Sequence, residues 1–138
     1  MNPVFGHDAL VAERVANKTG AVYSPPYSCI GFARDGQSLC AGVVFTNWNG
    51  SNVEISFASE RGFSRENIRT VYRYAFVQCK ANRLTAHTRR SNRAMRQLLP
   101  RLGFSKEAEG VLRKFYGPRR GDDAFVFGAF PETVRKWL

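Results

Sequence analysis

The strongest constraint on the fold is a change of hydrophobic period near residue 60. Before this point, three apolar runs predict β-strands, at Cys29–Arg34, Leu39–Asn47 and Val53–Ser59. The dipeptides Asp-Gly at 35–36 and Asn-Gly at 49–50 separate them. Such dipeptides supply the positive φ that tight hairpin turns require. The segment is therefore predicted to form a three-stranded antiparallel meander.

After residue 60 the apolar residues recur with helical spacing. Ser64 is a suitable N-cap, and an apolar stripe from Val71 to Phe76 predicts a helix that runs to about Lys80. Arg83–Thr88 follows as a short strand. This strand–helix–strand order implies a parallel crossover within a sheet that is otherwise mostly antiparallel.

The next helix is expected to start at a Ser91 cap and to end at Gly103, with Pro100 loosening its last turn. The remaining predicted elements are a helix at Asp8–Asn17, strands at Val111–Tyr116 and Ala124–Phe130, and a C-terminal helix at Glu132–Leu138. The order predicts an α/β fold with a mixed sheet and helices on both faces. At 138 residues, we expect one domain that spans residues 1–138.

Composition restricts the class of protein. No run approaches the roughly 18 apolar residues that span a bilayer, and the N-terminus lacks the basic and apolar regions of a signal peptide. We therefore expect a cytoplasmic protein without membrane association. Three widely spaced cysteines, no CxxC pair and only two histidines argue against a metal site and predict reduced, largely buried thiols.

The net charge is the strongest compositional signal. Lys and Arg total 21 against 11 acidic residues, which gives +10 and a pI near 10.2. Such a charge attracts polyanions, so nucleic acid, an acidic protein surface and a phosphate-rich cofactor are the candidate partners. A solvated basic surface that serves solubility is the alternative.

Two motifs near the C-terminus resemble a known family. The first is the segment 91–104, in which Asn92 precedes Leu102-Gly103-Phe104, and it is followed by Glu109-Gly110 and Arg113. The second is the segment 122–128. Together they resemble the GCN5-related N-acetyltransferase superfamily, and within it the branch of ribosomal-protein N-terminal acetyltransferases. Short members of this kind occur in bacteriophages, and some relatives act on DNA bases.

The resemblance implies an acetyl-coenzyme A site. The family's fold has a splayed parallel strand pair, here Val53–Ser59 and Arg83–Thr88, and the cofactor's pantetheine arm pairs with the exposed backbone. The pyrophosphate lies at the N-terminus of the following helix. Cofactor contacts are thereby implied for Phe57, Ala58, Arg61, Gly62, Phe63, Ser64, Arg65, Asn92 and Arg96. The loop departs from the usual Gln/Arg-x-x-Gly-x-Gly/Ala pattern because its glycine is displaced; a plain strand-to-helix connection is the alternative.

The resemblance also suggests which residues act as general base and general acid. Glu54 matches a glutamate that several members use as the base that deprotonates the acceptor amine, although an exposed strand residue is equally compatible with the sequence. The family's usual general acid is a Tyr, whose position here holds Leu99. Tyr116, Ser56 and His87 are the candidate substitutes.

Two functions therefore remain open from the sequence. The first is transfer of an acetyl or other acyl group from acetyl-coenzyme A to an amine, with a polyanionic acceptor such as modified DNA, transfer RNA or a nucleoprotein preferred over a small amine. The second is a catalytically weak or inactive module of the same fold that binds nucleic acid through its basic face. The oligomeric state is not predicted.

Overall fold

The computed structural model describes residues 1–36 and 38–138 and is built around one mixed, seven-stranded sheet. The spatial order of the strands is β1-β2-β3-β4-β5-β7-β6. In chain order they are β1 (Asn2–Val4), β2 (Tyr27–Ala33), β3 (Leu39–Thr46), β4 (Asn52–Ser59), β5 (Arg83–Arg89), β6 (Ser105–Leu112) and β7 (Ala124–Ala129). Every pairing is antiparallel except β4 with β5. The predicted mixed sheet with one parallel pair is confirmed.

Three α-helices accompany the sheet: α1 (Asp8–Thr19), α2 (Arg65–Tyr72) and α3 (Arg93–Arg101). Ser64 caps α2 as predicted, since its side chain accepts a hydrogen bond from the Asn67 amide at 3.1 Å. Helix α2 continues into a wider π-helical turn at Arg73–Gln78, so the helical stretch reaches nearly to the predicted end.

The helices lie on both faces of the sheet, as predicted. Val43 and Val44 are adjacent in β3 and nearly fully buried, but they belong to different apolar clusters because strand side chains alternate. Val44 packs with Val11 and Val15 of α1. A Cβ on Gly42 would come within 2.8 Å of both α1 valines, so this glycine lets α1 approach the sheet closely. The larger cluster, which contains Val43, is packed by α2, α3 and the C-terminal segment.

The parallel pair separates soon after it begins. Only Asn52, Val53 and Glu54 pair with residues of β5, opposite Arg83, Leu84 and Thr85. Beyond these three pairs, β4 and β5 are no longer hydrogen-bonded neighbours. The splayed strand pair expected from the sequence is thus present, and it opens the sheet on the C-terminal side of Glu54.

Two strands differ from the sequence prediction. β6 starts at Ser105 and ends at Leu112, whereas the prediction was Val111–Tyr116. Its first half is polar and mostly exposed at the sheet edge, and a register shift between Lys106 and Val111 interrupts its pairing with β7. A polar edge strand has no alternating apolar pattern to detect. The three-residue β1 was also missed, because its identity depends on pairing with β2.

Two helix ends also needed correction. The N-cap of α3 is Asn92, whose Oδ1 accepts from the Met95 amide at 3.1 Å, and Ser91 was the wrong choice. The C-terminus does not form the predicted helix at 132–138. It forms two 3₁₀ turns, Pro131–Thr133 and Arg135–Trp137, which place Val134 and Trp137 in the core. In the described part of the chain, no helix has the length and apolar character needed to cross a membrane.

Candidate active site in the splayed sheet

The opening between β4 and β5 is the floor of a cavity of about 670 Å³. Ser56–Ser59 of β4 form one wall, and Ala86–Arg89 of β5 form the other. Residues of β3, of α1 and the segment after it, of the loop before α2, of α3 and of the loop between β6 and β7 also line it. The volume falls within the usual range for small-molecule sites. Because β4 and β5 do not pair here, their backbone groups are available to hydrogen-bond an extended ligand along the gap.

The loop between β4 and α2 closes one end of the cavity. Gly62 adopts φ +77° and lines the cavity together with Phe63, whose ring packs edge-on against Phe57 at 6.0 Å between centroids. Ser59 Oγ donates to the Gly62 carbonyl at 2.6 Å and thereby fixes the turn. The Ser64 cap satisfies only one amide of the first turn of α2. The other first-turn amides remain available, as an anion requires.

The basic residues of this loop do not line the cavity, although Glu60 does. Arg61, Ser64 and Arg65 were expected to contact the cofactor, but none of them lines the cavity. The Arg65 guanidinium donates to the Lys136 carbonyl at 3.4 Å, which ties the start of α2 to the C-terminal segment. Their contribution to this site is therefore the shape of the loop and a positive field at the end of the cavity.

Helix α3 presents different residues to its two sides. Asn92 and Leu99 line the cavity, and Leu99 is fully buried, so the helix offers no hydroxyl at the position where the family usually has Tyr. Arg96 lies outside the cavity. Its guanidinium is 4.9 Å from the centre of the Phe125 ring and donates to the Arg90 carbonyl at 2.9 Å. The cofactor contact expected for Arg96 has no support in this placement.

Tyr116, His87 and Tyr23 also line the cavity. Tyr116, from the loop between β6 and β7, reaches the cavity beside His87, which also lines it. The His87 ring stacks on Phe115 with 5.4 Å between centroids. Tyr23 lines the same cavity from the loop after α1, and its hydroxyl is buried without a hydrogen-bond partner among the described residues. Tyr23 was not among the predicted site residues, and no local sequence signal places it there.

Tyr116 has an altered acidity. Burial raises the pKa of its phenol above the usual value of 10.0, the nearby Arg89 partly opposes this rise, and Tyr23 and Glu54 add to it. The Arg89 guanidinium lies 4.9 Å from the centre of the Tyr116 ring and is paired with Asp122 at 2.6 Å. Tyr116 therefore keeps its proton throughout the neutral and mildly alkaline range.

Glu54 stands at the point where the parallel strands separate. It forms the last β4–β5 pair, opposite Thr85, and its carboxylate accepts a hydrogen bond from Asn47 Nδ2 at 2.9 Å. It does not itself line the cavity, whereas Ser56, two residues farther along β4, does. The charge of Glu54 also makes a small contribution to the raised pKa of Tyr116.

One of the three cysteines, Cys40, lines the cavity, whereas Cys29 and Cys79 do not. Burial raises the pKa of the Cys29 thiol to about 12, with a further contribution from Asp8, so this thiol stays protonated and unreactive. Cys40 and Cys79 are half-buried, and all three thiols are free. This agrees with the reduced thiols expected from the sequence.

Solved structures with the same architecture are acetyltransferases. A mutant of the spermidine N-acetyltransferase SpeG from Vibrio cholerae superposes with a TM-score of 0.69 at 17% identity, over 91% of this chain and 78% of that one. The chain has the fold of the GCN5-related N-acetyltransferases. An acetyltransferase of this family from Bacillus anthracis matches with a TM-score of 0.59 at 18% identity, over 75% of this chain and 66% of that one.

A further structure, described as a probable acetyltransferase, matches with a TM-score of 0.64 at 21% identity, over 88% of this chain and 67% of that one. No protein-family model matches the sequence, and no curated protein matches it. The fold expected from the motifs at 91–104 and 122–128 is thus confirmed by structure at very low sequence identity.

Proposed function

We propose that this protein is an acyl-coenzyme A-dependent N-acyltransferase, with acetyl-coenzyme A as the donor. The observation that carries the proposal is the splay of β4 from β5 after three residue pairs, which leaves strand backbone facing an open cavity. Gly62 and Phe63 line one end of that cavity, and α2 begins directly after them, so a pyrophosphate at this end would meet a helix N-terminus. The thioester supplies the acyl group when it is bound.

Glu54, which stands where β4 and β5 separate, and Tyr116, which lines the cavity, are suited to proton transfer. Glu54 accepts the proton that the acceptor ammonium must lose, directly or through water. The amine nitrogen then forms a bond to the acyl carbon as the carbon–sulfur bond breaks. Tyr116 holds a proton at its Oη for the departing thiolate, which the raised pKa keeps in place at neutral pH. His87 and Ser56 line the same space and position the acceptor.

The charge of the cavity bears on the acceptor. The SpeG structures carry the name of a spermidine acetyltransferase, and spermidine is a polycation. Among the described residues, Glu60 is the only acidic residue that lines the cavity, and it is paired with Arg14 at 3.1 Å. Arg89, which also lines the cavity, is paired with Asp122, and Lys18 adds a positive charge that takes part in no ion pair among the described residues. A polycationic acceptor is therefore disfavoured. The charge instead supports an amine carried on a polyanion.

The finer family placement rests on the Leu-Gly-Phe motif at 102–104. Gly103 has φ +90°, and a Cβ there would come within 2.6 Å of the Thr133 carbonyl oxygen. This glycine is therefore required by the contact between the end of α3 and the C-terminal segment. The motif supports the branch of ribosomal-protein N-terminal acetyltransferases and their short phage relatives as the place of this chain.

Acetyl-coenzyme A is expected to stabilise the protein against heat. At a hundredfold excess over the dissociation constant, the free energy of unfolding should rise by about 2.7 kcal/mol, a shift of several degrees in Tm. Gly62→Ala forces a side chain into positive φ on the cofactor loop and should abolish the shift. Gly50→Ala makes the same backbone change in the β3–β4 turn and should retain it.

The proposal fails if neither acetyl-coenzyme A nor longer thioesters alter the Tm of the unmodified protein. The alternative function, a non-catalytic module that binds nucleic acid, then remains. Its supporting observation is the exposed basic segment at residues 113–120, whose basic side chains take part in no ion pair within the described chain.

Replacement of Glu54 by Gln is expected to lower kcat about a hundredfold at neutral pH, since the amide cannot accept the proton. The loss should shrink as pH rises, because the amine then arrives deprotonated. Steady-state release of free thiol between pH 7 and pH 10 measures this. Glu13→Gln, at an exposed position of α1 outside the cavity lining, is the matched control and should leave the profile unchanged. A Glu54 variant with the parent pH profile would remove Glu54 from the role of base.

A further inference from the structure

The loop between β6 and β7 combines unpaired cations with exposed aromatic rings at the mouth of the cavity. Phe115 is 51% exposed and Tyr116 is 37% exposed, although Tyr116 also lines the cavity. The segment around them, residues 113–120, carries four basic side chains and no acidic one. The four are Arg113, Lys114, Arg119 and Arg120, and all are exposed.

The carboxylates of the two acidic residues after this loop accept hydrogen bonds from the loop's backbone amides. Asp123 Oδ1 accepts from the Lys114 amide at 2.9 Å, and Asp122 Oδ2 accepts from the Arg119 amide at 3.2 Å. The side chains that pair with these carboxylates are Arg89 and Arg90, which belong to the β5 side. Within the described chain, the four basic side chains of the loop therefore take part in no ion pair, while the loop itself is held in a defined shape.

The positive surface continues beyond the loop. The Ser91 amide donates to the Gly121 carbonyl at 3.1 Å, which joins the loop to the start of α3. Around Phe125, the charged groups of Arg90, Arg96 and Lys106 lie 5.4, 4.9 and 4.3 Å from the ring centre. The cluster lies on the face of the sheet that carries Phe125, the Phe115–His87 stack lies on the other face, and the loop joins the two at the end of β5. We call the basic side chains of the loop and the cluster the basic track, which passes around this end of the sheet and comprises Arg113, Lys114, Arg119, Arg120, Arg90, Arg93, Arg96 and Lys106.

Few carboxylates oppose this track. Asp122 and Asp123 pair with Arg89 and Arg90, and Glu107 of β6 is paired with Arg83. Glu109, in the exposed part of β6, is the remaining acidic residue close in sequence to the track. Several like charges around one ring repel each other unless an anion lies among them, so the track favours a ligand with several negative groups.

The aromatic rings select among the polyanions. Phe115 lies against His87 with an interplanar angle of 27° and still exposes half of its surface. A flat ring beside a line of cations is the arrangement with which proteins bind single-stranded nucleic acid, since unpaired bases stack on the ring while phosphates contact the cations. Bases within a duplex are stacked on each other, and an acidic protein has no base to stack.

We infer that single-stranded nucleic acid binds along the basic track, with a base stacked on Phe115 at the mouth of the cavity. The inference deepens the proposed function, because it names the polyanion that carries the acceptor amine. The role of the nucleic acid as acceptor rests on the proposed function, whereas its binding does not depend on acyl transfer. DNA and RNA share the chemistry that the track recognises.

The test is fluorescence anisotropy with labelled single-stranded DNA and RNA of 12 nucleotides at several salt concentrations. Arg119→Gln with Arg120→Gln, and separately Arg93→Gln with Arg96→Gln, should each reduce the slope of log K against log salt by about 1.4, the effect of two lost contacts to a single strand. Phe115→Ala should weaken binding roughly fivefold or more. A duplex of the same sequence should bind more weakly.

Matched controls separate the track from net charge. Arg69→Gln with Arg73→Gln removes the same charge from exposed positions on the α2 side and should leave the salt slope unchanged. Phe5→Ala removes an aromatic ring that is 56% exposed near the N-terminus and should leave affinity unchanged. Equal losses in all three arginine pairs, equal displacement by polyglutamate, or no binding by the parent protein would each overturn the inference.

The acetyl-coenzyme A shift in Tm, measured on the same variants, keeps the two proposals distinct. The Arg119/Arg120 variant should lose nucleic-acid affinity and retain the full shift, because neither residue lines the cofactor cavity. A parent protein that binds the oligonucleotide without any shift would refute acyl transfer and support the track. A parent protein with the shift but no oligonucleotide binding would do the reverse.

Discussion

Replacement of Tyr116 by Phe is expected to lower kcat by about a hundredfold or more, because a general acid contributes 10²–10⁴-fold to such reactions. Only the hydroxyl is removed, so the ring contacts to Phe115 and Arg89 remain. The Tm shift caused by acetyl-coenzyme A should therefore persist. Tyr27→Phe is the matched control, since Tyr27 packs against the α1 cluster and lies outside the cavity lining.

The pH dependence of this variant follows from the direction of the pKa shift. The pKa of Tyr116 is raised in the folded protein, mainly by burial. Its protonated form therefore contributes stability that is fully present below pH 10 and is lost as pH rises through the raised pKa. The parent protein should show this alkaline loss in urea titrations, and Tyr116→Phe should show less of it. A variant with parental kcat would exclude Tyr116 as the acid.

Removal of the Trp137 side chain is expected to destabilise the fold by about 3–5 kcal/mol, which is the range for truncating a large buried aromatic. Trp137 is 7% exposed, and its ring lies 5.5 Å from that of Tyr72 in α2. For a chain of this size, the loss corresponds to a fall in Tm of roughly 10–20 °C. The Arg65 contact with the Lys136 carbonyl should weaken as well, so acetyl-coenzyme A should bind less tightly.

Trp48→Ala provides the comparison within the same protein. Trp48 is 50% exposed beside the β3–β4 turn, so its truncation should change the free energy of unfolding by less than about 1 kcal/mol. Thermal and urea unfolding of both variants measure the difference. Similar small effects for the two tryptophans would show that the C-terminal 3₁₀ turns do not anchor α2.

The order of elements was predictable because it is written in local patterns. Three apolar runs separated by turn dipeptides predicted the meander. A Ser cap followed by an apolar stripe predicted α2. The polar run from Ser105 gave no such signal, because β6 exposes most of that run at the sheet edge and depends on β7 for its hydrogen bonds. The choice between Ser91 and Asn92 as cap also lay beyond the sequence, since both side chains suit the position.

The motifs predicted several residues that line the cavity, but they did not predict all of them and misplaced others. Phe57, Ala58, Gly62 and Asn92 line the cavity as the motifs implied. A cofactor contact was expected for Arg96 because it lies near the start of α3. The structure places its guanidinium over the Phe125 ring instead.

The meander and the parallel crossover could be predicted because periodicity and turn dipeptides act over a few residues, and the excess of positive charge follows from composition alone. The convergence of Tyr116, Tyr23 and His87 on one cavity depends on tertiary contacts. These residues come from three segments far apart in the chain, and no local pattern encodes their distance. The pairing of β5 with β7, the close packing of α1 and the hydrogen bonds that Asp122 and Asp123 accept from the loop amides bring them together.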